Sequence, residues 1–115
     1  MDVTPLIKSD TQVIQNYGDG AFKISSAHYT GPVIVTRPNV MIWPVDHDFS
    51  KLSAPEFEIF DDLAADIDVV VMGCGATMKQ IPHDIKEILK SYEITAEPMT
   101  TQAACRTYNV MIAEE

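Results

Sequence analysis

Asp68-Val69-Val70-Val71-Met72-Gly73-Cys74-Gly75 and Met99-Thr100-Thr101-Gln102-Ala103-Ala104-Cys105-Arg106-Thr107-Tyr108-Asn109-Val110-Met111 are the two stretches around which the chain is organised. The first is an apolar run without alternation that ends in a glycine turn, the mark of a central strand covered on both faces. In the second, Ala103, Ala104, Thr107, Val110 and Met111 recur at the spacing of one stripe on a helix. Such a stripe needs a sheet beneath it, and the two adjacent alanines let the backbones come close. Thr101 is placed to cap the helix by accepting a bond from an unpaired N–H of its first turn.

Between these stretches, Pro82 opens a second helix that carries Ile85, Ile88, Leu89 and Tyr92 at helical spacing. Asp84 lies early in it and Lys90 late, as the helix dipole favours. Glu93-Ile94-Thr95-Ala96-Glu97 then alternates like a strand. Upstream, Ser53 with Glu56 reads as a capping box and Leu52 with Phe57 as a hydrophobic staple, so a helix is expected there with Phe57, Phe60 and Ala64 on one face. Before it, Val13-Ile14-Gln15-Asn16-Tyr17 turns at Gly18-Asp19-Gly20 into Ala21-Phe22-Lys23-Ile24-Ser25. Gly31-Pro32 and Arg37-Pro38-Asn39 set off two further strands, at residues 33–36 and 40–45. The expected fold is α/β, a layered α+β-like domain in which an N-terminal β-meander joins a mixed central sheet covered by about three helices. Residues 1–12 read as a loosely ordered arm and residues 13–115 as a single α/β domain.

Composition narrows the function. With 115 residues the chain can bury one core without staples. A net charge of −9 and the lack of any Lys/Arg run argue against nucleic acid. The two cysteines, Cys74 and Cys105, form neither a disulfide framework nor a metal spacing, which fits a reducing compartment. No segment has the apolar length of a membrane span or the pattern of a signal peptide, so a soluble cytoplasmic protein is expected.

The motifs that suggest chemistry each meet a plainer reading. Asp46-His47-Asp48 are consecutive, so their side chains diverge; they read as an acidic loop, and no metal site is expected. Gly73-Cys74-Gly75 begins like a dinucleotide fingerprint, but Met78 stands where the third glycine belongs and the helix starts only near Pro82. Lys79 lies in the same loop without the Gly-Lys-Ser/Thr of a P-loop, and no cofactor is expected. Cys74 between glycines, or Cys105 in the first turns of a helix, could be a reactive thiol with His83 as base, but no orienting third residue can be assigned. The alternative is that both are small buried apolar side chains. Arg106 stands at the edge of the buried stripe, where an arginine ties carboxylates or carbonyls together.

Residues 68–75, Glu97-Pro98-Met99-Thr100-Thr101 and Ala103-Ala104-Cys105-Arg106-Thr107-Tyr108-Asn109-Val110 closely resemble the family that includes the adipogenesis-associated domain protein and assembly factor 3 of mitochondrial complex I. Residues 14–22 and the lone Trp43 are similar to it as well, so the resemblance spans roughly residues 13 to 113. It implies a compact α/β domain with no established catalytic residues. Mitochondrial relatives act as assembly factors that bind other proteins, and bacterial ones resemble companions of membrane-protein export or insertion machinery. Cys74 replaces the family's more usual threonine, which weakens a hydroxyl-based role for the turn. Relatives also continue past Glu114-Glu115 with an arginine and another apolar stretch, so either the last helix is shorter here or its continuation is outside this chain.

Two functions of different class follow. The favoured one is a non-enzymatic protein-binding or assembly-factor-like module that aids assembly or insertion of a respiratory or other membrane complex. Its candidate groove is formed by Gly73, Cys74, Gly75, Lys79, Arg106, Tyr108 and Asn109. The alternative is a small-ligand-binding protein or enzyme with its pocket in that place, outside the carboxyl end of the strand. No acid, base and nucleophile set is recognisable, so no catalytic residue is assigned. The partners expected are proteins, and neither their identity nor the oligomeric state carries a sequence signal. The capping box yields a first test: Ser53→Ala should lower stability by about 0.5–2 kcal/mol, read as a lower denaturation midpoint.

Overall fold

A computed structural model describes residues 11–114, so residues 1–10 of the expected arm lie outside the described residues. Its architecture is mixed α/β, with seven strands and three α-helices among the described residues. Its contacts divide into two units, one of residues 11–44 with 105–114 and one of Val45–Ala104. No helix among the described residues is long and apolar enough to cross a membrane.

The first unit begins with an antiparallel meander of β1 (Ile14–Gly18), β2 (Ala21–Ile24) and β3 (Ala27–Thr30), followed by the hairpin of β4 (Val33–Val35) and β5 (Val40–Ile42). Asp19 and Gly20 make the first turn, both at positive φ as a two-residue hairpin requires. Ser25 and Ser26 repeat that conformation, with φ of 48° and 72°. Five strands therefore stand where four were expected. A serine pair gives no glycine or asparagine signal of left-handed backbone, so β3 is hidden in the sequence. Ile24 is fully buried, Ile34 nearly so, and Ile112 of α3 (Thr101–Ala113) is also buried in this unit.

In the second unit β6 (Val69–Gly73) and β7 (Thr95–Met99) run parallel, connected by α2 (His83–Ser91). The expectation of a uniformly covered β6 is corrected: among the described residues it pairs with β7 alone, Met72 is buried, and Val69 is 41% exposed. With one hydrogen-bonded neighbour, the strand has less cover than its composition suggests. The helix expected from Ser53 is a succession of short turns: 3-10 at Ala54–Phe57, the single α-turn α1 at Phe60–Leu63, and 3-10 again at Ala64–Asp66. Its entry keeps the proposed partners, because the Glu56 carboxylate accepts from the Ser53 N–H at 2.8 Å and from the Ser53 hydroxyl at 3.2 Å.

Phe57 and Phe60 stack with ring centroids 5.7 Å apart and join Ile85, Leu89, Ile81 and Ile94 in the core of this unit. α2 packs on the Ala54–Phe57 turn and on β7, so two short elements are held by one well-buried helix face. The stripe expected on α3 is also corrected, since Val110 and Met111 are exposed while Tyr108 and Asn109 are half-buried and Ile112 is buried. Ala103, Ala104 and Thr107 are half-buried as the stripe requires, but past Thr107 the inward face passes to Tyr108, Asn109 and Ile112, two of them polar side chains with partners. Phe57→Ala should cost about 3–5 kcal/mol, measured by chemical denaturation, because its ring has no exposed surface and its removal leaves a cavity.

Candidate functional site

The parallel pairing brings Gly73 opposite Met99, so β6 and β7 leave the sheet at the same end. β6 continues into the loop before α2, and β7 passes into α3 after a single residue, Thr100. Cys74 extends the ladder by donating its N–H to the Met99 carbonyl at 2.8 Å. The next bonds are reciprocal: Thr101 donates its N–H to the Gly75 carbonyl, and Gly75 donates its N–H to Thr101 Oγ1, each at 2.9 Å. Thr101 therefore does not serve as the cap. Thr100 does, its Oγ1 accepting from Ala103 N–H at 3.2 Å and its carbonyl from Ala104 N–H at 2.8 Å. The Thr100-Thr101 pair was the sequence signal for this division of labour, one hydroxyl for the helix and one for the facing turn.

The two glycines act for different reasons. A Cβ at Gly73 would lie 3.0 Å from Thr101 Cα, so no side chain fits without moving backbone, whereas Gly75 has open space but a φ of +99°. Cys74 between them is buried, with Sγ 3.5 Å from the Met72 carbonyl and 3.8 Å from the Lys79 carbonyl. The thiol thus donates to backbone, in keeping with a structural cysteine. Lys79 is exposed. Its charge, with that of Lys51, reinforces the lowered pKa of Asp48, which comes first from the Ser50 hydroxyl and amide. Asp46 and Asp48 each accept from backbone two residues ahead, which makes their segment a pair of local turns. Among the described residues no group of His, Cys, Asp and Glu is arranged to hold a metal.

Tyr108 and Asn109 act within the first unit. Asn109 Oδ1 accepts from Ile14 N–H at 3.0 Å and its Nδ2 donates to the Ile14 carbonyl at 2.7 Å. The side-chain amide thus stands in for a neighbouring strand at Ile14 of β1. The Tyr108 hydroxyl donates toward the Gln12 carbonyl at 2.8 Å and the Thr36 carbonyl at 3.2 Å. Burial raises its pKa, with the Arg37 charge opposing. Arg106 is exposed, and among the described residues its side chain makes no hydrogen bond or ion pair. Cys105 is half-buried; burial pushes its thiol pKa up and a backbone hydrogen bond pulls only partly against it, the reverse of dipole activation. His83 is exposed, with Nε2 3.9 Å from Glu87.

Residues 14–115 match the family described as protein of unknown function (DUF498/DUF598). The chain belongs to that family. It is 32% identical over 101 residues to an uncharacterised protein of Rhodobacter capsulatus, covering 88% of this chain and 75% of that one. It is also 31% identical to the Danio rerio NADH dehydrogenase [ubiquinone] 1 alpha subcomplex assembly factor 3, over 90% of this chain and 59% of that protein. The chain spans little more than half the length of the Drosophila melanogaster protein of the same name, at 53%. A Bordetella parapertussis crystal structure superposes with TM-score 0.79 at 26% identity, covering 92% of this chain and 89% of that one. A Bordetella pertussis Mth938-like domain shares the fold at TM-score 0.77 and 22% identity, covering 99% of this chain and 86% of that one.

The site geometry predicts two stability effects. Gly73→Ala should cost about 1–3 kcal/mol by forcing backbone apart at Thr101. Asn109→Ala should cost about 1–3 kcal/mol by stripping the partners from the part-buried N–H and C=O of Ile14, whereas Arg106→Ala should stay within about 0.5 kcal/mol. Urea denaturation of the three variants measures the contrast.

Proposed function

We propose that the chain is a protein-binding module that assists assembly of a membrane complex, with NADH dehydrogenase as the first candidate. The observation that carries the reading is the match, at 26–31% identity over 88–90% of this chain, to relatives in three animals named as assembly factor 3 of that enzyme. The site is consistent with it. The glycine turn is tied to α3 by backbone and threonine bonds, the Cys74 thiol is buried against backbone carbonyls, and burial pushes the Cys105 thiol pKa up. On this reading Gly73, Cys74, Gly75, Tyr108 and Asn109 hold backbone in place, while the exposed charges of Lys79 and Arg106 face partners. The protein works as a non-enzymatic cytoplasmic companion of the complex and catalyses no step.

Deletion of the gene in its own organism tests this directly. Native gels stained for NADH dehydrogenase activity should show loss of the full-size complex and accumulation of subassemblies, restored by the wild-type gene. Arg106→Glu and Lys79→Glu should remain folded and restore assembly poorly. Full-size complex at wild-type level in the deletion strain overturns the proposal. Thermal melts decide the ligand-binding alternative: no carboxylate or phosphate should shift the wild-type Tm, and a saturable upward shift that Arg106→Lys abolishes would favour a small-ligand protein.

A further inference from the structure

We infer that the outer edge of β3 is a self-association surface that pairs antiparallel with β3 of a second copy of this chain. The two edges of the meander are treated differently. At β1 the Asn109 amide occupies the N–H and C=O of Ile14, and the register slips between Ile14 and Asn16, a bulge that disfavours further pairing. β3 has neither device: its pairing with β2 is regular from Ala27 to Thr30, and it contains no proline and no Lys, Arg, Asp or Glu.

The phase of the ladder fixes which groups are offered. The Gly31 N–H donates to the Gly20 carbonyl, so alternation along the strand turns Ala27 and Tyr29 toward β2 and the N–H and C=O groups of His28 and Thr30 outward. Among the described residues β3 is the last strand of its sheet, and those groups have no strand beside them. An outward pair two residues apart is self-complementary. With a two-fold axis at Tyr29, His28 of each copy meets Thr30 of the other in a hydrogen-bonded pair, and the two Tyr29 residues face each other as the close, non-hydrogen-bonded pair.

Side chains and charge favour a second copy as the occupant. Tyr17, Phe22 and Tyr29 are directly opposite one another across the three strands, and the Tyr17 and Phe22 rings are 4.6 Å apart. The two-fold extends that row from Tyr29 of one copy to Tyr29 of the next, the kind of aromatic cross-strand pair that stabilises sheets. The residues of β1, β2 and β3 include no carboxylate, and Lys23 is their one charged side chain, so two chains of net charge −9 can meet here with little local repulsion. The edge is only four residues long, which places the association in the weak, transient class.

The test is NMR on the whole chain between about 10 µM and about 1 mM, the range in which a small interface associates. A mixed sample of isotope-labelled and unlabelled chains should give an inter-chain contact between the Tyr29 Hα protons, with concentration-dependent shifts centred on residues 27–31. Thr30→Pro removes an outward N–H that β2 does not use; it should leave the remaining spectrum folded and abolish both signals. A monomer throughout that range, association that survives in a folded Thr30→Pro, or inter-chain contacts elsewhere would each overturn the proposal. If Thr30→Pro fails to fold, the Tyr29 contact in the wild-type mixture decides by its presence or absence.

Discussion

The second unit depends on the closeness of Gly73 and Gly75 to Thr101. β7 runs into α3 across one residue, so the first turn of that helix lies against the end of β6, and a Cβ at 73 would press within 3.0 Å of Thr101 Cα. Once the backbones are that near, Gly75 and Thr101 exchange hydrogen bonds, next to the bond from Cys74 N–H to the Met99 carbonyl. The threonine pair solves two problems at once, since a helix N-terminus and a glycine turn both carry unpaired N–H groups. A serine at 74 would change little in this arrangement, because the Cys74 side chain turns back toward the Met72 and Lys79 carbonyls.

Electrostatics separates the two units. Residues 45–104 hold twelve Asp/Glu and four Lys, while the described part of the first unit holds two carboxylates and three Lys/Arg. The net charge of the chain is therefore carried mostly by the segment containing the glycine turn and α2. The field of the second unit is negative, with the exposed Lys79 a local cation within it, and that field fades as salt rises. The regular edge of β3 belongs to the nearly neutral unit, where attraction between unlike charges contributes little.

The fold was legible wherever a local rule had one answer. Asp19-Gly20 permits little but a tight turn, α2 shows Pro82, Ile85 and Leu89 at the right spacing, and the glycine turn after Met72 was plain. The rest required tertiary information. Ser25-Ser26 gives no warning of left-handed backbone, so β3 was missed. The burial of Val69–Met72 depends on how many strands flank them, which no apolar run reveals, and the inward face of α3 was set by the partners of Tyr108 and Asn109. The seven candidate site residues were visible as polar or small residues in distinctive text. Their roles were not: Arg106 read as a tie and is exposed, while Asn109 read as part of a groove and closes a strand edge.

Amide hydrogen exchange at Gly75 tests the central constraint most directly. The account predicts strong protection of both the Cys74 and Gly75 amides in the wild-type chain, with Thr101→Val releasing Gly75 alone because Cys74 keeps its bond to the Met99 carbonyl. A Gly75 amide that exchanges at the unprotected rate in the wild type, or that stays fully protected in Thr101→Val, would contradict it.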